Sequence, residues 1–159
     1  MLILLEGAFM CLLLSLICVV GIANGPQDMV MFYEKDVQQR AIELGLTTKK
    51  HIKKTMQITS LLLFLPVIVL VPAMVYWLNG ARGFLPVFWQ ITGILMIQGL
   101  FDRLFIDWYW VEHTNAWHIP GTEDLMPYIP RKIKRMKWIG TLVGYPLWAA
   151  MASGILLLF

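Results

Sequence analysis

Long apolar stretches alternate with shorter polar ones along this sequence. Four of them, residues 2–23, 57–78, 84–108 and 138–159, are apolar almost throughout. A helix crosses the hydrocarbon core of a bilayer with about 20 apolar residues, since each residue adds about 1.5 Å. The pattern therefore predicts an all-α, polytopic membrane protein, a single membrane domain over residues 1–159 whose four transmembrane helices form two hairpins.

Aromatic residues near the ends of the apolar stretches agree with these boundaries. Trp and Tyr are enriched where a membrane helix meets the polar interface. Trp89 and Trp108 bracket about 28 Å of helix, close to a hydrocarbon thickness of about 30 Å. Tyr76, Trp77 and Trp138 mark the ends of two other stretches.

The first stretch has a second interpretation as a signal peptide, because Gly21-Ile22-Ala23 resembles a small-residue cleavage site. Its beginning lacks the positive charge typical of signal peptides and carries Glu6 instead. We therefore expect a retained membrane helix, with Glu6 reaching the outer surface or pairing with the terminal amine.

Basic residues are concentrated in two of the connecting loops, 24–56 and 109–137, whereas the turn 79–83 holds Arg82. Because Lys and Arg mark the cytoplasmic side, we expect a multi-pass protein of the cell membrane with both loops cytoplasmic and both termini extracytoplasmic. The net charge of +3 is too small to indicate nucleic-acid binding.

The first of these loops contains a second helical pattern. Pro26 suits a first helical position and Gly45 a C-terminal cap, so the spacing predicts an amphipathic cytoplasmic helix over residues 26–44. Its apolar positions recur at helical spacing: Val30, Tyr33, Val37, Ala41 and Leu44. Such a helix packs on the bundle, lies along the membrane surface, or docks a partner.

Ionisable residues occur within the third apolar stretch, where they are costly. Helical geometry places Gln98 and Asp102 on one face and pairs Arg103 with Asp107, one turn apart. Asp102 is then expected to interact with Gln98 and with other helices. One interpretation is a polar network that fixes helix packing. The other is a polar cavity open to the cytoplasm, in which Asp102 accepts a proton or Arg103 holds an anionic headgroup.

The loop that follows supplies the remaining candidates for a site. We predict His113, His118 and Asp102 as catalytic acid–base groups. The predicted ligand-binding residues are Gln98, Asp102, Arg103, Asp107, Trp108, Trp110 and Glu123. The histidines do not have the spacing of the helical zinc motif, so we assign no metal, and no cofactor can be named. A short helix is predicted over residues 123–128.

Two segments carry a resemblance to known sequences. The segment IPGTEDLMPYI, together with RAIELGLTTKKHIKK upstream, resembles a group of small uncharacterised bacterial four-helix membrane proteins with an IPGTED-type loop. The resemblance implies a bacterial inner-membrane protein in which the acids of the third helix and this loop form one site. It implies no activity.

These patterns favour a protein that binds or processes an amphipathic small molecule or lipid in the cytoplasmic half of the bundle, without deciding whether it is an enzyme. One alternative is an oligomeric transporter or channel coupled to ions or protons. The similar basic segments 50–61 and 131–142 would then be a repeat. Another alternative is a structural or assembly subunit. The expected partners are membrane lipids, and Gly140 and Gly144 would allow close helix contact either within the chain or with a second copy.

Overall fold

The computed structural model describes residues 1–158, which form helices and connecting turns. Four helices are long and apolar enough to cross a membrane, as the sequence predicted. We number the α-helices in chain order: α1 Leu2–Gly21, α2 Lys35–Glu43, α3 Lys49–Leu78, α4 Phe84–Val111 and α5 Arg131–Leu156. Three short 3₁₀ helices occupy the loops: Pro26–Phe32, Asn115–Trp117 and Glu123–Leu125.

The helices α3, α4 and α5 extend beyond the apolar stretches into the polar segments at the loop end of the bundle. Helix α3 begins at Lys49 because the Thr48 side chain accepts a hydrogen bond from the backbone N–H of His51 at 3.2 Å. This is N-capping by a hydroxyl, which satisfies a backbone donor of the first turn. Hydropathy therefore located the apolar part of each helix, while local capping decided where α3 begins.

Helix α4 contacts all the other spanning helices, most extensively α1 and α5. Glycines permit these close approaches. A Cβ atom at Gly7 would lie 2.8 Å from the Ile97 side chain, and one at Gly99 would lie 2.6 Å from the ring of Tyr145. Larger side chains at these two positions would force the helices apart.

The small residues of α5 divide into two groups. A Cβ atom at Gly140 or Gly144 would meet open space, so these glycines make no close helix contact within residues 1–158. Ala149 and Ser153, further along α5, are buried. Contact through Gly140 and Gly144 with a second copy stays a prediction.

Glu6 does not reach the outer surface, contrary to expectation. It is 8% exposed and accepts a hydrogen bond from the Asn79 amide at 3.0 Å. The same amide donates to Gln90 at 2.8 Å. Asn79 is the C-cap residue that follows the last residue of α3. The hydrogen-bond donor to Glu6 therefore comes from the turn between α3 and α4, and the sequence pattern did not predict this contact.

The two large loops fold against each other at one end of the bundle, and we call residues 24–48 and 112–130 together the cap. The predicted helix over 26–44 is broken within the cap. Its first part is the 3₁₀ helix Pro26–Phe32, and Tyr33 and Glu34 are extended before α2 begins. The predicted apolar face is otherwise correct, except that Leu44 is 48% exposed. The predicted end is also correct, since Gly45 adopts a φ of 73° after α2.

The break in the helix places Tyr33 at the centre of the cap. Its hydroxyl donates a hydrogen bond to the carbonyl of Trp117 at 2.7 Å, and its ring meets that of Tyr128 edge-on at 4.7 Å. The Tyr128 hydroxyl accepts from the backbone N–H of Ile119 at 3.2 Å and bonds the Thr122 hydroxyl at 2.8 Å. Long-range pairing of the two loops thus overrode the local helical pattern.

The predicted helix over residues 123–128 is reduced to the single turn Glu123–Leu125. Met126 is extended, with ψ of 150°, and it precedes Pro127. Proline disfavours the helical region for the residue before it, which favours the end of the turn here. On the outer side of the cap, Arg40 of α2 forms an ion pair with Asp124 at 3.2 Å, which ties the two loops together.

The stability of the cap should decline at alkaline pH because of Tyr33. Burial, together with the neighbouring Tyr128, raises the pKa of the Tyr33 hydroxyl far above its usual range. The unfolded chain loses this proton near a pKa of about 10 while the folded protein retains it, so the stabilisation is complete below that pH and is lost above it. We expect the unfolding temperature to fall between about pH 9 and pH 11.

The control for this measurement is the Tyr33→Phe variant, which has no hydroxyl group to titrate at this position. Lysines and the other tyrosines titrate in both proteins, so the difference between the two pH curves isolates Tyr33. The curve of Tyr33→Phe should be flatter above about pH 10. Parallel curves, recorded by near-ultraviolet circular dichroism in detergent, would contradict the assignment.

Candidate functional site

A cavity of about 260 Å³ lies between the spanning helices and the cap. We call it the capped cavity. Helices α1, α3, α4 and α5 form its sides, and both loops of the cap form its floor. Its apolar lining comes chiefly from Leu14, Ile17, Cys18, Met29, Phe32, Leu63, Phe64, Val67, Ile106, Val111 and Ile129, and its polar or aromatic lining from Tyr33, Gln98, Asp102, Arg103, Asp107, Trp117, Tyr128, Lys137 and Tyr145.

The charged side chains form one wall of the capped cavity. The Arg103 guanidinium donates to both Asp102 and Asp107. Lys137 of α5 lies 2.7 Å from the other oxygen of Asp107. The predicted pair of Arg103 with Asp107 is confirmed. The expectation that Asp102 would interact with Gln98 is wrong, because Arg103 binds Asp102 as well.

The backbone of α4 explains why these residues share one wall. From Asp102 to Val111 the helix is π-helical, with a wider turn than an α-helix. The residues that line the cavity recur once per wide turn along α4. Asp102 and Arg103 lie on the first turn, Ile106 and Asp107 on the second, and Val111 on the third.

The capped cavity reaches the outside of the bundle on the side of α3. Two of its lining residues, Phe64 on α3 and Phe32 in the cap, are 61% and 50% exposed, respectively. Helix α3 packs mainly on the 3₁₀ helix Pro26–Phe32 and, towards its C-terminal end, on α4, whereas α5 packs mainly on α4. The Trp148 indole of α5 donates to the Val67 carbonyl of α3 at 3.3 Å, which closes this side above the cavity. The mouth is therefore apolar.

Three buried polar atoms of lining residues have no hydrogen-bond partner within residues 1–158. They are Oε1 of Gln98, Nε of Arg103 and the indole Nε1 of Trp117. Gln98 and Trp117 are 7% and 3% exposed, and the Arg103 side chain is 9% exposed. Buried polar groups in proteins are usually hydrogen-bonded, so these atoms identify positions where a ligand or water would bind.

Several predicted site residues lie outside the capped cavity. Trp108 is 53% exposed on the surface of α4, and Trp110 packs edge-on against Trp117 at 5.5 Å. His113 is exposed, and its Nδ1 lies 2.5 Å from the carbonyl of Trp108. His118 packs against the ring of Tyr128 at 5.9 Å. The imidazoles therefore interact with the cap and the end of α4.

Glu123 also has a local role. Its carboxylate accepts a hydrogen bond from the backbone N–H of Gly121 at 3.1 Å. Bonds from its own N–H and from that of Gly121 lower the pKa of this exposed carboxyl. Glu123 thus stabilises the turn between Pro120 and Leu125 and does not line the cavity.

A second, more polar cavity of about 370 Å³ lies within the cap beside the start of α5. Its lining includes Glu112, His113, Arg131 and Lys134. Lys134 neutralises Glu112 at 2.7 Å. Among residues 1–158, no group of three or more His, Cys, Asp or Glu side chains is placed to hold a metal ion.

Sequence reasoning missed the part of the capped cavity that comes from other elements. Lys137 and Tyr145 of α5 and Tyr33, Trp117 and Tyr128 of the cap were not among the predicted site residues. A signal for Lys137 existed: Asp102, Arg103 and Asp107 sum to one negative charge, which requires a further cation. Nothing in the pattern indicated which of the many basic residues would provide it.

No protein-family model, curated protein or solved structure matches this chain. The geometry of the site therefore carries the functional argument.

Proposed function

We propose that this protein binds an amphipathic small molecule or lipid in the capped cavity. The observation that carries the proposal is a cavity with one polar wall, otherwise apolar walls and an apolar mouth beside Phe32 and Phe64. A molecule with a polar head and an apolar chain matches both parts: the head faces α4, and the chain leaves through the mouth.

The proposal includes a place in the cell. The basic residues at the starts of α3 and α5 adjoin the cap, and positive charge favours the cytoplasmic side. We place the cap in the cytoplasm, both termini outside, and the protein in a bacterial inner membrane. The ligand would then enter from the cytoplasmic leaflet.

The arrangement favours binding over catalysis. The predicted acid–base groups His113 and His118 do not line the capped cavity, and Asp102 is engaged by Arg103. Transport through one chain is also less favoured, because a buried apolar core fills the bundle beyond the cavity. That core includes Met10, Val71, Val75, Ile91, Ile94, Leu95 and Ala149.

Filling part of the cavity from α3 should weaken binding. Val67 lines the cavity on α3, whereas Val69 on the same helix is 53% exposed and outside it. We expect Val67→Phe to weaken binding at least tenfold, or about 1.4 kcal/mol, because the larger ring occupies part of the cavity. Val69→Phe adds the same ring on the lipid-facing side and should change affinity less than about twofold.

The measurement is equilibrium binding of tritiated sixteen-carbon amphiphiles, an alcohol, a carboxylate and a quaternary ammonium, to the detergent-purified full chain. Saturable binding of any one of them that Val67→Phe alone removes would support the proposal. The proposal fails if none binds, or if both phenylalanine variants bind as the unchanged protein does.

A further inference from the structure

The chemistry of the polar wall points to the kind of headgroup. We infer that the capped cavity recognises a neutral hydroxyl group on an apolar chain, as in a long-chain alcohol or a monoacylglycerol. This inference rests on the proposed function and makes its ligand class specific.

The charges on the wall already compensate one another. Asp102 and Asp107 contribute two negative charges, and Arg103 and Lys137 contribute two positive ones, all joined by direct contacts. A carboxylate or phosphate headgroup would add a negative charge with no free cation to meet it. A cationic headgroup would have to compete with Arg103 or Lys137. Burying an uncompensated charge is strongly unfavourable, so a neutral headgroup fits best.

The unpartnered atoms show what the neutral group must do. Gln98 Oε1 is a hydrogen-bond acceptor, whereas Arg103 Nε and Trp117 Nε1 are donors. A hydroxyl donates one hydrogen bond and accepts up to two, so it can satisfy both kinds of atom. An ether or ester oxygen only accepts and would leave Gln98 Oε1 without a partner.

The size of the cavity agrees with a single chain. At about 260 Å³ it is smaller than the pockets that enclose a drug-sized ligand, which measure about 300–1,000 Å³. It therefore holds the headgroup and the first part of a chain, and the remainder passes between Phe32 and Phe64 into the apolar surroundings.

The test compares headgroups on one chain length in the full-length detergent-purified protein. The probes are hexadecanol, its methyl ether, palmitate, the hexadecyltrimethylammonium ion and a monoacylglycerol, each competing against tritiated hexadecanol. We expect hexadecanol to bind at least about tenfold more tightly than the ether, the carboxylate and the ammonium ion, since each leaves a buried group unpaired or uncompensated. Comparing the affinities of the monoacylglycerol and hexadecanol shows whether the natural ligand is a glyceride or a simple alcohol.

Two variants assign the preference to Gln98. Gln98→Met keeps the length of the side chain without the amide, and we expect the ratio of alcohol to ether affinity to fall to about one. Thr92→Val is the matched control: Thr92 Oγ1 is also buried and unpartnered on α4, but Thr92 does not line the cavity. Its ratio should remain that of the unchanged protein.

The outcomes separate this inference from the proposed function. If palmitate binds most tightly and Val67→Phe abolishes its binding, the proposed binding function is supported, but the inference of a neutral headgroup is wrong. Equal binding of alcohol and ether in the unchanged protein would mean that water alone satisfies the polar atoms, which overturns hydroxyl recognition even if Gln98→Met does not fold. Failure of every probe to bind would overturn both proposals.

Discussion

Replacing Arg103 with Gln is expected to destabilise the protein by about 3–5 kcal/mol, the usual cost of removing one partner from a buried ion pair. Arg103 contacts both Asp102 and Asp107, and its side chain is only 9% exposed. Without it, Lys137 still faces Asp107, but Asp102 loses the cation that compensates it. The measurement is thermal or denaturant unfolding in a fixed detergent.

A double variant tests the electrostatic origin of this effect. Arg103→Gln with Asp102→Asn removes one charge of each sign, so the wall stays neutral and more than half of the lost stability should return. Arg135→Gln is the control, since Arg135 is exposed on α5 and its change should fall within about 0.5 kcal/mol. An Arg103→Gln protein as stable as the control would show that the ion pairs do not hold α4 in place.

The second large effect concerns the α4–α5 contact. Gly99→Ala should destabilise the fold by about 1–3 kcal/mol, because the new methyl group would overpack a closed interface. It would lie 2.6 Å from both the Thr141 methyl group and the Tyr145 ring. Tyr145 also lines the capped cavity, so the displaced ring should weaken amphiphile binding as well.

Gly154→Ala is the matched control on α5. It introduces the same methyl group into a helix at a position where nothing lies within 4 Å. Substituting alanine at an unstrained helical glycine usually stabilises a protein by about 0.4–1 kcal/mol. Opposite signs for the two variants, read from unfolding temperatures, are the expected result. Equal effects would mean that Gly99 does not set the distance between α4 and α5.

The candidate site was predictable only where it lies on one element. Polar and charged residues inside an apolar stretch are conspicuous, which identified four residues of one helix: Gln98, Asp102, Arg103 and Asp107. The predicted histidines lie close to these residues in sequence but occupy the cap instead. Sequence proximity suggested a shared site, whereas the direction of the chain after Val111 separated them.

The role of Arg103 was predictable in part. Its pairing with Asp107 follows from helical spacing, since residues four apart are neighbours on an α-helix and remain so in this wider one. Its contact with Asp102, the adjacent residue, did not follow from that spacing. Because Arg103 binds both acids and Lys137 supplies the second positive charge, the wall is neutral, and the headgroup proposed for the cavity changes from an anion to a hydroxyl.

Sequence by itself determined the four apolar helices, the cap at Gly45 and the buried face of residues 30–41. Each of these depends on interactions within about one or two helical turns, which leave a periodic or positional signal. Only the tertiary structure decided the break at Tyr33, the contact of Lys137 with Asp107 and the closure of the cavity by Trp117 and Tyr128. These depend on hydrogen bonds and packing between segments far apart in the chain, for which neither hydropathy nor spacing carries information.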